Sequence, residues 1–183
     1  NNILFENNFS HNFCPSYIEE NKKFIALSGT QLNNNGLYFF FSNNGLEWRN
    51  KGKLINENNI LNNYKHKNHF DTQNTIIYHA LDKCYYLYLR HNNEDDKRKV
   101  QVIQIDDFTY IKKSYLLTID NQEDYEIYNF NPSYLKNSKY FISIPNYADS
   151  IYLKSDIKNN FMVKKKNVHS ILFSNNGYNW LNM

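Results

Sequence analysis

The sequence predicts an all-β chain built as a β-propeller of four-stranded blades, with about three blades in its 183 residues. Three observations predict it. Aromatic residues make up 17% of the chain, with sixteen Tyr and thirteen Phe, and stiff, flat side chains fit a pleated, half-buried surface better than a helix. Short runs rich in Tyr, Phe, Ile and Val alternate with Asn- and Gly-bearing turns, and no helical period is sustained. The pattern also repeats, with anchor tyrosines at Tyr17, Tyr78 and Tyr134, steps of 61 and 56 residues. A WD40 blade repeats every ~40–45 residues, so that family is disfavoured.

The repeat is visible residue by residue. NFCPSYIEENKKFIALSG (Asn12 to Gly29) and NFNPSYLKNSKYFISIP (Asn129 to Pro145) share Asn-Phe-x-Pro-Ser-Tyr, then an aliphatic residue, a polar turn, a Lys and an alternating apolar run. TQNTIIYHALDKCYYLYLR (Thr72 to Arg90) is the middle copy. In each, seven residues separate the anchor from an aromatic of the next strand: Tyr17 and Phe24, Tyr78 and Tyr85, Tyr134 and Phe141. Later in the unit, Ser-Asn-Asn-Gly-x-x-Trp occurs at Ser42–Trp48 and again at Ser174–Trp180, two periods and 132 residues apart. Asp106-Asp107-Phe108 is its middle relative. Asn-Gly supplies the φ > 0 residues of a tight hairpin, so these turns join the third and fourth strands, on the outer part of each blade.

The units run roughly 9–60, 70–118 and 124–183 of one propeller domain. In the first, strands are expected at Phe13 to Ile18, Lys23 to Ser28, Leu37 to Phe41 and Trp48 to Ile55. The third unit stops at Met183, three residues past Trp180, before a fourth strand. Because propellers have four to eight blades, the chain is expected to be part of a larger ring or to have its ring closed by another chain. Unpaired edge strands favour such pairing.

Charge and composition exclude several classes. A net charge of +3, a pI near 8.7 and one tight basic run, Lys164 to Lys166, give no nucleic-acid footprint. The mixed run NNEDDKRK (Asn92 to Lys99) reads as a solvated loop. Mean hydropathy is −0.75 and no stretch reaches the ~18 apolar residues of a membrane span. Cys14 and Cys84 form no disulfide framework or metal pattern and read as small apolar residues in strands. His66 and His69 lack a third ligand nearby, and no glycine loop cradles a phosphate, so neither metal nor cofactor is expected. Compartment is not indicated.

Several motifs carry a resemblance. SHNFCPSYIEENKKFIALSGT, GLYFFFSNNGLEW and HFDTQNTIIYHALDKCYYLYLR follow one another, then DYEIYNFNPSYL and SNNGYNW. In order and spacing they resemble glycoside-hydrolase-like proteins related to family 32, with His-Asn-Phe-x-Pro, Gly-Leu-Tyr, Ser-x-Asp-Gly-x-x-Trp and Phe-Asp-Ser-Gln-Asn motifs. The last stands here as Phe70-Asp71-Thr72-Gln73-Asn74. The resemblance covers nearly the whole chain. It implies a five-bladed propeller of the invertase and arabinanase kind, acting on the glycosidic bonds of a carbohydrate with carboxylates gathered around the axis.

Residues leading into each innermost strand converge on that axis. Asp71 lies seven positions before Tyr78; Glu126 lies eight before Tyr134, with Asp124 two further back. Glycoside hydrolysis needs two carboxyl groups, an acid and a nucleophile or base. Asp71 with Glu126 or Asp124 meets that count; position favours Glu126 and the resemblance favours Asp124. A third carboxylate is used by the invertase-like families, but the first unit offers only His11 and Asn12 there. Amide, imidazole and guanidinium groups that match sugar hydroxyls are His11, Asn12, Gln73, Asn74, Arg90 and Asn129. Trp48 and Trp180 read as packing residues. Two other readings stand beside the glycosidase: an inactive propeller that binds glycan or protein, and an assembly protein whose ring other chains complete.

Overall fold

The anchor tyrosines lie at the innermost hairpins. In the computed structural model, Tyr17 faces Phe24, Tyr78 faces Tyr85 and Tyr134 faces Phe141 as antiparallel partners. The seven-residue spacing is therefore the reach around a hairpin. Each hairpin returns through a Lys with positive φ, at Lys22, Lys83 and Lys139. The structure describes residues 9, 12–30, 36–59, 70–93, 97–120, 126–147 and 170–183.

The first sheet is β1 (Cys14–Ile18), β2 (Lys23–Thr30), β3 (Gly36–Ser42) and β4 (Arg49–Ile55), antiparallel in chain order. The second repeats this with β5 (Thr75–His79), β6 (Cys84–Asn92), β7 (Arg98–Ile105) and β8 (Ile111–Leu116). Next come β9 (Thr118–Ile119), β10 (Ile127–Asn129), β11 (Ser133–Leu135), β12 (Tyr140–Ser143), β13 (Asn146–Tyr147), β14 (Leu172–Ser174) and β15 (Asn179–Asn182). The third sheet runs β11-β12-β14-β15-β9, with β10 paired to β13 as a separate ribbon. At the two breaks of that inner hairpin stand Pro132, between β10 and β11, and Pro145, between β12 and β13, which have no N–H to donate.

The fold is all-β and is made of propeller blades. One expectation is corrected: the third unit does have a fourth strand. β15 is short, but it pairs antiparallel with β14 and on its far side in parallel with β9. Thr118 N and Asp120 N donate to Tyr178 O and Trp180 O, so the segment leaving the second sheet laces the outer edge of the third.

Blade stacking explains the hydrophobic runs. Every residue of β6 is buried, as a strand covered on both faces must be. Tyr85, Leu87 and Leu89 join Ile25, Leu27, Leu37 and Ile76 in a core between the first two sheets. Tyr86 and Tyr88 join Phe130, Phe141, Leu172 and Trp180 in a core between the second and third. Fully burying an aliphatic or Phe side chain contributes about 1.5–3 kcal/mol, so these two seams hold the sheets in order.

The Ser-Asn-Asn-Gly turns are two copies of one hydrogen-bonded device. Ser42 Oγ accepts from Asn44 N and Gly45 N, Asn44 Oδ1 accepts from Leu46 N and Glu47 N, and Trp48 Nε1 donates to Gly45 O. Ser174, Asn176, Gly177 and Trp180 repeat the same bonds. Only the glycines take positive φ, 75° at Gly45 and 80° at Gly177. Asn acts through its side chain as an acceptor, which refines the expectation that both residues of the pair supply φ > 0. The middle turn places Phe108 at the glycine position, with φ 68°.

Candidate functional site

Each innermost strand is entered through a short polar segment, and these segments bond to one another across the sheets. Asn12 precedes β1 with φ 59°, a left-handed conformation that Asn tolerates better than most residues. Its Nδ2 donates to Asp71 Oδ1 at 2.9 Å, joining the first unit to the second. Thr72 Oγ1 donates to Asn129 Oδ1 at 2.8 Å, Thr75 Oγ1 to Asn131 Oδ1 at 2.7 Å, and Asn131 Nδ2 to Gln73 Oε1 at 3.4 Å. These three bonds join the second unit to the third. Asn12, Gln73 and Asn129 each stand five positions before their anchor tyrosine, so the repeat brings equivalent residues to one rim.

The Asp71 segment is held by packing and by its own turn. Gly29 lies so close to Phe70 that a Cβ there would stand 2.0 Å from Phe70 O. Asn74 is fully buried, and its Nδ2 donates to Phe70 O and Thr72 O at 3.1 Å each. Read from sequence as a sugar-binding residue, Asn74 instead braces the loop that presents Asp71.

Arg90, at the end of β6, carries the site toward the third unit. It is 8% exposed, its Nη2 donates to Tyr128 O at a long 3.4 Å, and its Nε is buried with no acceptor among the described residues. Its guanidinium lies 5.5 Å from the Tyr128 ring centroid, as does that of Arg98. Burial, and then the like charge of Arg98, pull the Arg90 pKa down; Asp71, Tyr128 and Glu126 oppose them. Asp71 and Glu126 thus flank one guanidinium electrostatically. Glu126 is engaged further: its Oε1 accepts from Arg98 Nη1 at 2.8 Å in a pair whose acid is largely shielded from solvent.

Beside these groups a shallow cleft of about 220 Å³, counting the solvent at its mouth, opens between the second and third units. Thr72, Gln73, Tyr88, Arg90, Lys99 and Tyr128 line it. The structure thus sets Asn12, Asp71, Gln73, Arg90, Glu126 and Asn129 along one rim that crosses both seams. His11 and Asp124 lie outside the described residues, as do His66 and His69. Among the described residues, no group of three His, Cys, Asp or Glu side chains could hold a metal ion.

Sequence reasoning missed Arg98, Lys99, Tyr128 and Asn131. Arg98 and Lys99 had been read within a solvated loop, but β7 begins at Arg98, where alternation puts Arg98 on the same face as Val100 and Val102, toward the third unit. That alternation was the available signal. Tyr128 and Asn131 carried none beyond lying within three residues of Asn129.

By sequence, no family model and no curated protein matches the chain. As a fold, it is similar to solved glycoside hydrolases and related carbohydrate enzymes. An N-acetylgalactosamine deacetylase from F. plautii, solved with blood group B trisaccharide, aligns with a TM-score of 0.60 at 12% identity, over 92% of this chain and 50% of that one. A family 117 glycoside hydrolase of the marine bacterium Zobellia galactanivorans aligns at 0.58 and 11%, over 98% and 58%. A thermostable family-43 glycoside hydrolase aligns at 0.52 and 11%, over 91% and 48%. The chain spans about half the length of these structures, and at such identities the likeness concerns the fold.

Proposed function

We propose that this chain carries the carbohydrate site of a glycoside-hydrolase-like propeller. In this reading Asp71, with Glu126 or Asp124, supplies the acid and the nucleophile or base of glycosidic-bond cleavage. The observation that carries it is the cross-blade constellation itself: Asp71 oriented by Asn12, beside Arg90 and the half-exposed Tyr128 ring. A carboxylate, amides, a guanidinium and an aromatic face are the groups that grip sugar hydroxyls and the apolar side of a pyranose. The motif resemblance to family 32 and the fold likeness to families 43 and 117 support the same reading.

A second reading, glycan binding without turnover, has an observation of its own. Glu126 is already paired with Arg98, so it must leave that partner before it can act on a sugar. One experiment separates the two. The purified chain is assayed for turnover and binding against a glycan panel, with Asp71→Asn as the control. The glycosidase reading expects turnover to fall about 10²–10⁴-fold, the usual worth of a general acid or base, with binding retained. Turnover that survives Asp71→Asn removes Asp71 from catalysis. Binding by the parent chain with no turnover of any glycan establishes the second reading.

A further inference from the structure

A second copy of this chain, we infer, docks its first sheet on the outward face of the third sheet, so that two copies close one ring through two further seams like those between the sheets of each copy.

Position in the repeat identifies the face. Ile142 and Ile144 stand eight and ten residues after their anchor tyrosine, as Ile25 and Leu27 do in the first unit and Tyr86 and Tyr88 in the second. Ile171 stands six residues before Gly177, as Phe39 does before Gly45 and Val102 before Phe108. Ile25, Leu27 and Phe39 belong to the core between the first and second sheets; Tyr86, Tyr88 and Val102 belong to the core between the second and third. The third sheet thus bears, on its side away from the second, the positions each sheet uses to receive the next. Pairing of Ile142 with Phe173, and of Phe173 with Leu181, extends this apolar face across β12, β14 and β15. It stands open: Ile144 is 63% exposed and Leu181 59%, whereas Leu27 and Tyr88 are 0% and 1%. A contiguous exposed apolar patch marks a protein contact.

The chain also carries what fits that face. Phe24, Tyr85 and Phe141 occupy one repeat position; Tyr85 and Phe141 each face the preceding sheet, so Phe24 faces away from the second. In the second seam the third sheet docks through an edge-to-face cluster, Trp180 meeting Phe130 at 5.0 Å and Phe141 at 6.3 Å. The first sheet holds the same cluster, Trp48 meeting Phe13 at 4.9 Å and Phe24 at 6.4 Å. Trp180 and Phe141 are buried against the second sheet, but Trp48 and Phe24 are only half-buried. Leu46 is the equivalent of Tyr178, which reaches across its seam to Tyr115, and Leu46 is exposed. One copy therefore displays both halves of a blade seam. A contact between unlike faces of like copies is heterologous and must close by rotation. Two copies of three blades make six, inside the range of four to eight, so a two-fold ring covers both faces at once.

The test is the mass of the purified full chain by sedimentation velocity, over a range of ~1–100 µM. A dimer of twice 22.0 kDa is expected. Leu46→Lys damages one half of the seam and Ile171→Lys the other. Each would bury an unpaired charge, so each is expected to weaken association at least about tenfold. Both side chains are exposed in the single chain, so both variants should fold. Circular dichroism checks this, and Leu181→Lys stands in for Ile171→Lys should that variant unfold. Mixing the two variants is the decisive arm. A mixed pair keeps one intact seam, formed by the unaltered first sheet of one partner and the unaltered third sheet of the other. Heterodimers stronger than either variant's own association are therefore expected. A parent that stays at 22.0 kDa throughout overturns the inference and leaves the open face to a different chain. A dimer indifferent to either variant, or a mixture that associates no better than the variants alone, overturns the head-to-tail contact.

Discussion

The seam between the first and second sheets and the seam between the second and third are built from the same elements but closed differently. The first is an aliphatic layer of Ile25, Leu27, Leu37, Ile76, Leu87 and Ile103. Into it the middle turn drives Phe108, stacked on Phe39 at 5.1 Å and set against Phe41 and Tyr85. The second seam presents the bulky Tyr86, Tyr88, Phe130 and Phe141, and there the corresponding turn residue is Gly177. Tyr178 next to it stacks on Tyr115 with ring centroids 4.0 Å apart. One turn position therefore holds a large ring where the opposing sheet leaves room and no side chain where the opposing sheet is full. The repeat fixes the backbone, and each copy is trimmed to the neighbour it meets.

The largest effect expected from breaking this arrangement is at Gly29, on the first seam. A Cβ there would overlap Phe70 O and approach Phe70 Cβ at 2.7 Å. Backbone atoms give way at higher cost than a side-chain tip, so Gly29→Ala should lower stability by about 3 kcal/mol or more in urea unfolding. It should also displace Asp71 and reduce glycan binding. Stability within 1 kcal/mol of the parent would show that the first seam is looser than its packing implies.

The pair Gly177→Ala and Gly45→Ala sharpens the comparison directly, since both glycines have the same backbone conformation. At Gly45 the nearest atom to an added Cβ is in Phe24 at 3.6 Å, ordinary contact, so only the left-handed strain of about 1 kcal/mol applies. At Gly177 the Cβ would meet Tyr88 Oη at 2.9 Å and Tyr86 Cε1 at 3.0 Å as well, and the loss should reach about 2–3 kcal/mol. Equal losses for the two variants would break the argument that the second seam dictates its turn residue.

Phe108→Gly gives the smallest change, because two terms oppose. Relief of the positive φ returns about 1 kcal/mol, and loss of a half-buried ring against Phe39 and Tyr85 removes about 2 kcal/mol. A net loss near 1 kcal/mol in the unfolding midpoint is expected; a more stable variant would show that the ring contributes nothing to the seam.

The two seams also show why some features were legible in the sequence and others were not. The hairpins could be read because Tyr17, Tyr78 and Tyr134 pair with aromatics at a fixed seven-residue reach, and a repeat makes a local spacing conspicuous. The turns were legible because Ser and Asn bond the backbone within three residues. The site was legible only in part. Counting back from the anchors pointed to Asp71 and Glu126, and both carboxylates act electrostatically on Arg90. It could not reveal that Glu126 is held by Arg98, twenty-eight residues away on a different sheet, nor that Asn74 turns inward to brace its loop. The short fourth strand β15 was missed because four residues, Asn-Trp-Leu-Asn, carry too little alternation to announce a strand.

The bonds from Asn12 to Asp71 and from Thr72 to Asn129 have a thermodynamic meaning. Each spans two sheets, so the rim exists only while the sheets are docked. Occupying such a rim and docking its sheets are linked equilibria: a ligand at a hundred times its dissociation constant adds about 2.7 kcal/mol to the docked state. Conversely, any change that loosens a seam is felt as weaker affinity at a distance. In the proposed reading, the rim couples the cohesion of the blades to glycan binding at their inner ends.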